Sequence, residues 1–291
     1  MPDKTALGTR MKENYEQRTR YKLMRRCPVI IRLDGKAFHT YTRGLDKPFD
    51  EGLIEDMMET TRFLCEQIMG VKCGYTQSDE ISLLITDFDK LETEAWFDYN
   101  LQKMCSIAAS IATAKFNQLR MERSCHDGGG ETQFPCISQG AVGGFPLAYF
   151  DARVFQIPEK EEVVNYFIWR QRDAEKNSVA MLAQSLYSHN ELYKKNGSDM
   201  QEMCFQKGQN WNDLHFSKKR GSFVIKNTYV DGNLYDGDQV IWVNDKDTKY
   251  AIWNEDKGEY IDVPEAVIRN RWEANWCPIF SKDRESILKL F

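Results

Sequence analysis

The sequence predicts an α+β protein: a mainly antiparallel sheet with helices packed on it, followed by a β-rich C-terminal appendage. Three observations carry this. Short β-branched runs alternate with longer segments whose apolar residues recur every three or four positions, the two periods that separate strand from helix. The order strand, helix, strand pair, helix, strand layers helices against an antiparallel sheet. Beyond Arg220 the texture changes to strand-like runs divided by Asp, Gly and Asn turns. A boundary near residue 220 therefore divides a first domain with a helical extension, 1–220, from a β-rich region, 221–291.

The first strand is Val29-Ile30-Ile31-Arg32-Leu33, ending at Asp34-Gly35. Alternation sets Val29, Ile31 and Leu33 on one face and Ile30, Arg32 and Asp34 on the other. A helix opens after Pro48, with Asp50 as its N-cap and Gly70 as its stop. Its stripe is Leu53, Met57, Thr61, Leu64 and Ile68. Strands at 73–76 and 81–86 flank Gln77-Ser78-Asp79-Glu80, so a hairpin displays acids at its turn. A long helix over about 93–120 carries Phe97, Leu101, Met104, Ala108, Ile111 and Phe116 as a core stripe. Residues 122–149 form a Gly-rich connection, long enough to be mobile or functional. A strand at 152–157 and helices at 159–173, 176–190 and 199–207 follow. Strands are expected at 222–230, 240–243 and 250–253.

The 291 residues, 42% apolar and 29% charged, fit an ordinary globular protein of one or two domains. No apolar run is long enough to span a membrane and no signal-peptide pattern opens the chain, so a cytoplasmic protein is expected. A net charge of −5 argues against a protein that coats nucleic acid non-specifically. It leaves room for local basic clusters at Arg18/Arg20, Lys22/Arg25/Arg26, Lys194/Lys195 and Lys218-Lys219-Arg220. The eight cysteines show no disulfide framework. Cys125, His126 and Cys136 amount to three zinc ligands without a CxxC or a fourth partner, a weak signal.

The chemistry lies in Asp34-Gly35 and Ser78-Asp79-Glu80. Carboxylates meeting at adjacent strand ends suit a hard divalent cation with room left for phosphate oxygens. Gly35 lets its carbonyl approach a metal, and the amides that follow can face phosphate. Asp79 and Glu80, as neighbours, face different ways, so one can bridge metals while the other takes a second metal or an outer position. Lys47 and His39 add charge or donors for a triphosphate. Phe38 offers a ring to a base, against the plainer reading of a core phenylalanine. These residues alone leave polymerase palms, nucleotidyl cyclases and metal-dependent phosphatases open.

Longer motifs narrow the choice. Arg32-Leu33-Asp34-Gly35-x-x-Phe38-His39, Lys47-Pro48, Gly74-Tyr75-x-Gln77-Ser78-Asp79-Glu80, Phe150-Asp151-x-Arg153-Val154 and Trp169-Arg170-Gln171-x-Asp173-Ala174 resemble the tRNA-His guanylyltransferase family. Asn177-Ser178, Ala183 to His189, Lys207-Gly208-x-Asn210-Trp211 and Lys218-Lys219-Arg220-Gly221 look like its bacterial and archaeal guanylyltransferase-like branch, the 3′-to-5′ polymerases that repair truncated tRNA 5′ ends. The resemblance spans roughly residues 20–230.

It implies a polymerase-palm-like domain run in the opposite chemical direction and an enzyme that is a nucleotidyltransferase. Two magnesium ions would be held by Asp34, Asp79 and the Gly35 carbonyl, with Glu80 also needed for chemistry. Asp34 to His39 (Gly35, Lys36, Ala37 and Phe38 between them), with Lys47, Ser78 and Asp79, would bind the nucleotide. The implied partners are tRNA, ATP, GTP and other NTPs, and the implied assembly is a homotetramer built as a dimer of dimers. Lys103, Arg170, Asn177, Lys207, Lys218, Lys219 and Arg220 are candidate RNA contacts, and for Arg170 a structural ion pair with an acid such as Asp173 is an equal reading. Two departures from the eukaryotic pattern call dedicated guanosine addition to tRNA-His into question. Glu175 to Met181 replaces a His-Ile-Asn-x-Leu-Tyr-Asn stretch, and Asp98-Tyr99-Asn100 replaces a basic pair. The competing readings are an RNA-independent nucleotidyl transferase or cyclase, and a non-catalytic RNA-binding scaffold.

Overall fold

The computed structural model describes residues 5–126, 146–230, 233–234, 240–243, 249–254, 259–263 and 268–291. The chain divides into two compact units, Met1–Val224 with Ala274–Phe291, and Ile225–Glu273. The last eighteen residues, which the sequence groups with the β-rich region, thus belong to the first unit.

In chain order the first unit holds α1 (Ala6–Met11), β1 (Val29–Gly35), α2 (Phe38–Tyr41), α3 (Glu51–Gln67), β2 (Val71–Gln77), β3 (Glu80–Ile85) and α4 (Leu101–His126). It continues with β4 (Phe150–Gln156), α5 (Lys160–Leu186), α6 (His189–Leu192), α7 (Gly197–Gln206) and α8 (Phe216–Arg220). β1 is central, antiparallel to β3 on one side and β4 on the other, with β2 antiparallel beyond β3. The first residues of β5 (Ser222–Val230) continue the sheet past β2. The second unit, taken alone, holds the short β6 (Asn233–Leu234) paired with β5, and a separate antiparallel sheet of β7 (Val240–Val243), β8 (Lys249–Asn254) and β9 (Glu259–Val263). β10 (Ile268–Trp276) leads back to the first unit, which ends with α9 (Glu285–Leu288).

Helices cover both faces of the sheet. Gly74 of β2 lies against Thr61 and Cys65 of α3, where a Cβ would come within 2.8 Å of the Cys65 sulfur. Its neighbour Tyr75 points the other way and meets Phe167 of α5 edge-on. Val29, Ile30, Ile31 and Leu33 are fully buried between these layers. Asp50 caps α3 by accepting from the Leu53 amide at 2.7 Å. Buried Asp56 then ties α3 to α4 through Arg120 and Arg123, at 3.0 and 2.8 Å.

Two helix boundaries differ from expectation. The helix expected over 93–120 begins at Leu101, because Phe97, Asp98 and Tyr99 all have positive φ. Asn100 starts it, its side chain accepting from the Lys103 amide at 3.1 Å. Phe97 is consequently 39% exposed, while Met104, Ala108 and Phe116 are buried as the stripe requires. The helices expected at 159–173 and 176–190 are one, since neither Pro nor Gly interrupts Asp173 to Asn177. Its C-terminal half builds a small helical core from Val179, Leu182, Ala183, Leu192, Cys204 and Trp211.

Gln171 anchors the C-terminal tail to α5. Its amide donates to the Pro278 carbonyl at 2.7 Å and its oxygen accepts from the Phe280 amide at 2.9 Å. Among the described residues, no helix is long and apolar enough to cross a membrane. The side chains of Cys125, His126 and Cys136 lie outside the described residues.

Candidate active site

Register puts acids and arginines in adjacent rows across three strands. Asp34 on β1 faces Glu80 on β3 and Asp151 on β4. Two residues back, on the same face, Arg32 faces Ser82 and Arg153. Like charges side by side within each row are tolerable only because the rows neutralise one another. The third acid of the sequence motif, Asp79, sits in the two-residue turn between Gln77 and Glu80. Its carbonyl accepts from the Gly35 amide at 3.0 Å, which fastens the hairpin turn to the end of β1. Asp34 and Asp79 are thereby brought together, as alternation and the hairpin predict.

Their environments differ. Burial pushes the Asp79 carboxyl up from its ordinary value and the charge of Asp34 adds to this, opposed by the Ser78 hydroxyl. Glu80 is also pushed up by burial, and Arg170 opposes it. Glu80 is 5% exposed. Arg170 clasps it with two hydrogen bonds at 2.6 and 2.8 Å, and Arg32 Nη2 adds an ion pair at 2.9 Å. Ser78, which precedes Asp79, takes a positive φ, an uncommon conformation for a residue with a side chain.

The glycine turn is shaped by packing. A Cβ on Gly35 would lie 2.2 Å from the Phe38 ring. That ring is 5% exposed and packs on Tyr41, Phe116 and Phe150. Phe38 therefore supports the turn from the core and offers no face to a base, which corrects the stacking role. The Gly35 and Lys36 amides are taken by the carbonyls of Asp79 and Tyr149, so an anion here would meet amides from Ala37 onward. Lys36, His39 and Lys47 are exposed.

A cleft opens beside the hairpin turn. Lys47 and Ser78 line one part of it, and Asn177, Ser217, Lys218 and Lys219 another. Residues expected to bind nucleotide thus share one cleft with residues expected to bind RNA. Gly221 seats the basic segment against β2, where a Cβ would fall 2.4 Å from the Thr76 carbonyl. Within the segment, Lys218 pairs with Glu51 at 2.6 Å, Lys219 donates to the Asn212 carbonyl at 2.6 Å, and Arg220 lies 3.4 Å from Glu175. Lys103 and Lys207 stand apart from the cleft, over the rings of Phe97 and Tyr187.

Of the two readings for Arg170, a phosphate contact or an ion pair with an acid such as Asp173, the structure shows the ion pair. Arg170 is 4% exposed, its charge is spent on Glu80 and on Asp173 at 3.0 Å, and its guanidinium stacks 4.3 Å from Trp169. Trp169 itself is 54% exposed. The roles of Arg32, Asp151 and Arg153 were not anticipated, although the i, i+2 spacing on each strand already placed the arginines beside the acids.

As a metal site, the arrangement offers two carboxylates and the Gly35 carbonyl. Among the described residues no group of three His, Cys, Asp or Glu side chains converges on one point. That donor set fits a small hard cation which keeps several waters and takes further oxygens from phosphate.

Comparisons with known proteins follow the same line. A profile described as tRNAHis guanylyltransferase matches residues 8–158. A probable tRNA(His) guanylyltransferase of Drosophila melanogaster is 24% identical over 220 residues, 70% of this chain and 68% of that protein. An uncharacterised protein, R259, of Acanthamoeba polyphaga mimivirus is 28% identical over 242 residues, 78% of this chain and 80% of that one. Among solved structures, a bacterial tRNA(His) guanylyltransferase-like protein in complex with ATP is 40% identical, covering 98% of this chain and 99% of its own, with a TM-score of 0.73. A structure of such a bacterial protein with GTP gives a TM-score of 0.70.

Proposed function

The chain belongs to the tRNAHis guanylyltransferase family, whose members are nucleotidyltransferases, and from that premise we propose that it is a magnesium-dependent, template-directed 3′-to-5′ polymerase acting on the 5′ end of truncated tRNA. The observation that carries this is the meeting of Asp34 and Asp79 at adjacent strand ends, with Ser78 beside them on the wall of a cleft lined by Lys47, Lys218 and Lys219. The catalytic part is the palm-like domain of residues 1–220.

Asp34, Asp79 and the Gly35 carbonyl would hold magnesium, which when bound supplies charge to the attacking and leaving oxygens of an in-line displacement. Lys47 and the amides from Ala37 onward steady the triphosphate, and Ser78 borders the same space. Two transfers follow in order. A 5′-monophosphate end attacks the α-phosphorus of ATP or GTP and releases pyrophosphate, leaving a nucleotidyl cap. The 3′-hydroxyl of the incoming nucleotide then attacks the 5′ phosphorus and releases the nucleoside monophosphate. A 5′-triphosphate end enters at the second transfer and releases pyrophosphate. Pairing with the acceptor strand selects the incoming base, in keeping with the departures from the eukaryotic sequence. Asn177, Lys218 and Lys219 contribute from the cleft's other wall, where nucleotide and RNA end would meet. The protein is further read as cytoplasmic and as a tetramer built from two dimers.

Labelled nucleotide incorporation into a tRNA lacking its first nucleotide tests this reading. The wild-type chain incorporates label, and Asp79→Ala falls by at least about a hundredfold, as loss of a metal-holding carboxylate should cause. Full incorporation by Asp79→Ala would remove the acid pair from the mechanism.

A further inference from the structure

Glu80 is the acid that would next be assigned to a metal, yet both its oxygens are occupied. Arg170 donates to Oε1 at 2.6 Å and to Oε2 at 2.8 Å, and Arg32 Nη2 reaches Oε2 at 2.9 Å. That same Arg32 nitrogen stands 3.6 Å from Asp34 Oδ2. Arg32 is therefore shared between two carboxylates and lies nearer to Glu80. Arg153 is divided in the same way, 3.5 Å from Asp34 Oδ2 and 3.4 Å from Asp151 Oδ1. Each guanidinium flanking Asp34 has a second acid drawing it aside. A guanidinium that closed fully on Asp34 would compete with a divalent cation for the same oxygen.

We propose that Glu80 is a positioning residue that holds Arg32 off Asp34 and so keeps that carboxylate open to a cation, with Arg170 fixing Glu80 in place. This rests on the reading above, in which Asp34 and Asp79 hold the metal. Glu80 itself makes no metal contact. To turn toward one it would have to leave Arg170 as a largely uncompensated cation at 4% exposure, a costly arrangement. Asp173 cannot take over, because it touches only Nη2 of Arg170 and its own side chain is 42% exposed.

The test is Mn2+ binding to the full chain without nucleotide or RNA, followed by electron paramagnetic resonance of the free ion. Glu80→Gln releases Arg32 onto Asp34 and weakens Mn2+ binding by about tenfold. Adding Arg32→Gln to the same chain restores binding to within about threefold of wild type, since the competing cation is gone. If Glu80 were a ligand, removing Arg32 would not return the lost oxygen, so absence of restoration overturns the proposal. Where far-UV circular dichroism finds Glu80→Gln unfolded, Arg32→Gln alone decides. It binds Mn2+ at least as tightly as wild type, and weakening by about tenfold or more overturns the proposal. Asp34→Asn and Asp79→Asn separate the two levels of inference. If both bind Mn2+ as wild type does, the metal assignment fails and the proposal with it. If both lose Mn2+ while the wild-type chain adds no nucleotide to RNA, the polymerase reading fails and the Arg32 comparison still stands.

Discussion

Asp79 must be ionised to hold a cation, yet its burial makes ionisation more costly than at an exposed aspartate. Burial and the neighbouring charge of Asp34 push its carboxyl up, so on the proposed metal assignment proton and metal would compete there over a higher pH range than at an exposed aspartate. At subsaturating magnesium, nucleotide addition should fall as pH drops through that titration, and more magnesium should recover it. The stability of the metal-free chain moves in the opposite sense. A raised carboxylate makes the charged folded state the costly one, so the cost is present at neutral pH and disappears as the group takes up its proton. Asp79→Asn should therefore raise the metal-free melting temperature at neutral pH by about 2 °C, with the gap closing on acidification. Equal melting at all pH values would contradict the buried-charge account. Much of this residue-scale picture was legible in the sequence. Asp34 ends a β-branched run and Asp79 sits in a two-residue turn, and both signals are local. The role of Arg170 was not legible, because it depends on which helix covers which face of the sheet, and those of Arg32 and Arg153 depend on the strand register.

At the scale of elements, α5 links the site to the end of the chain. Consecutive residues do different work: Arg170 clasps Glu80 on β3, while Gln171 fastens Pro278 and Phe280. Gln171→Ala leaves a buried carbonyl and a buried amide without partners and should cost on the order of 2 kcal/mol. Hydrogen exchange should quicken at Phe280 ahead of β1, whereas uniform acceleration would mean that the tail is not held separately. The expected strand spans followed closely from alternation, since each is short and bounded by turn residues, whereas β6, β9 and β10 had no expected counterpart. Helix boundaries followed less well. The start of α4 depends on the positive φ values at Phe97, Asp98 and Tyr99 and on the Asn100 cap, and tertiary packing settles such backbone. The unbroken α5 was readable in principle, as no Gly or Pro interrupts it.

At the scale of the whole molecule, a chain of net charge −5 that takes RNA, as proposed, would have to use its basic residues locally. The cleft draws Lys47 together with Lys218 and Lys219 from distant parts of the sequence. No local pattern joins those positions, which is why the sequence left them as separate nucleotide and RNA candidates. On the proposed function the chain builds RNA from the 5′ end under the direction of a template. The direct measurement supplies a 5′-truncated tRNA, magnesium, ATP and all four labelled nucleotides, and varies the acceptor-strand base opposite the missing position. The added nucleotide should change with that base, and no product should form without RNA. Guanosine added whatever the opposing base, or a cyclic or dinucleotide product from nucleotides alone, would contradict the proposed function.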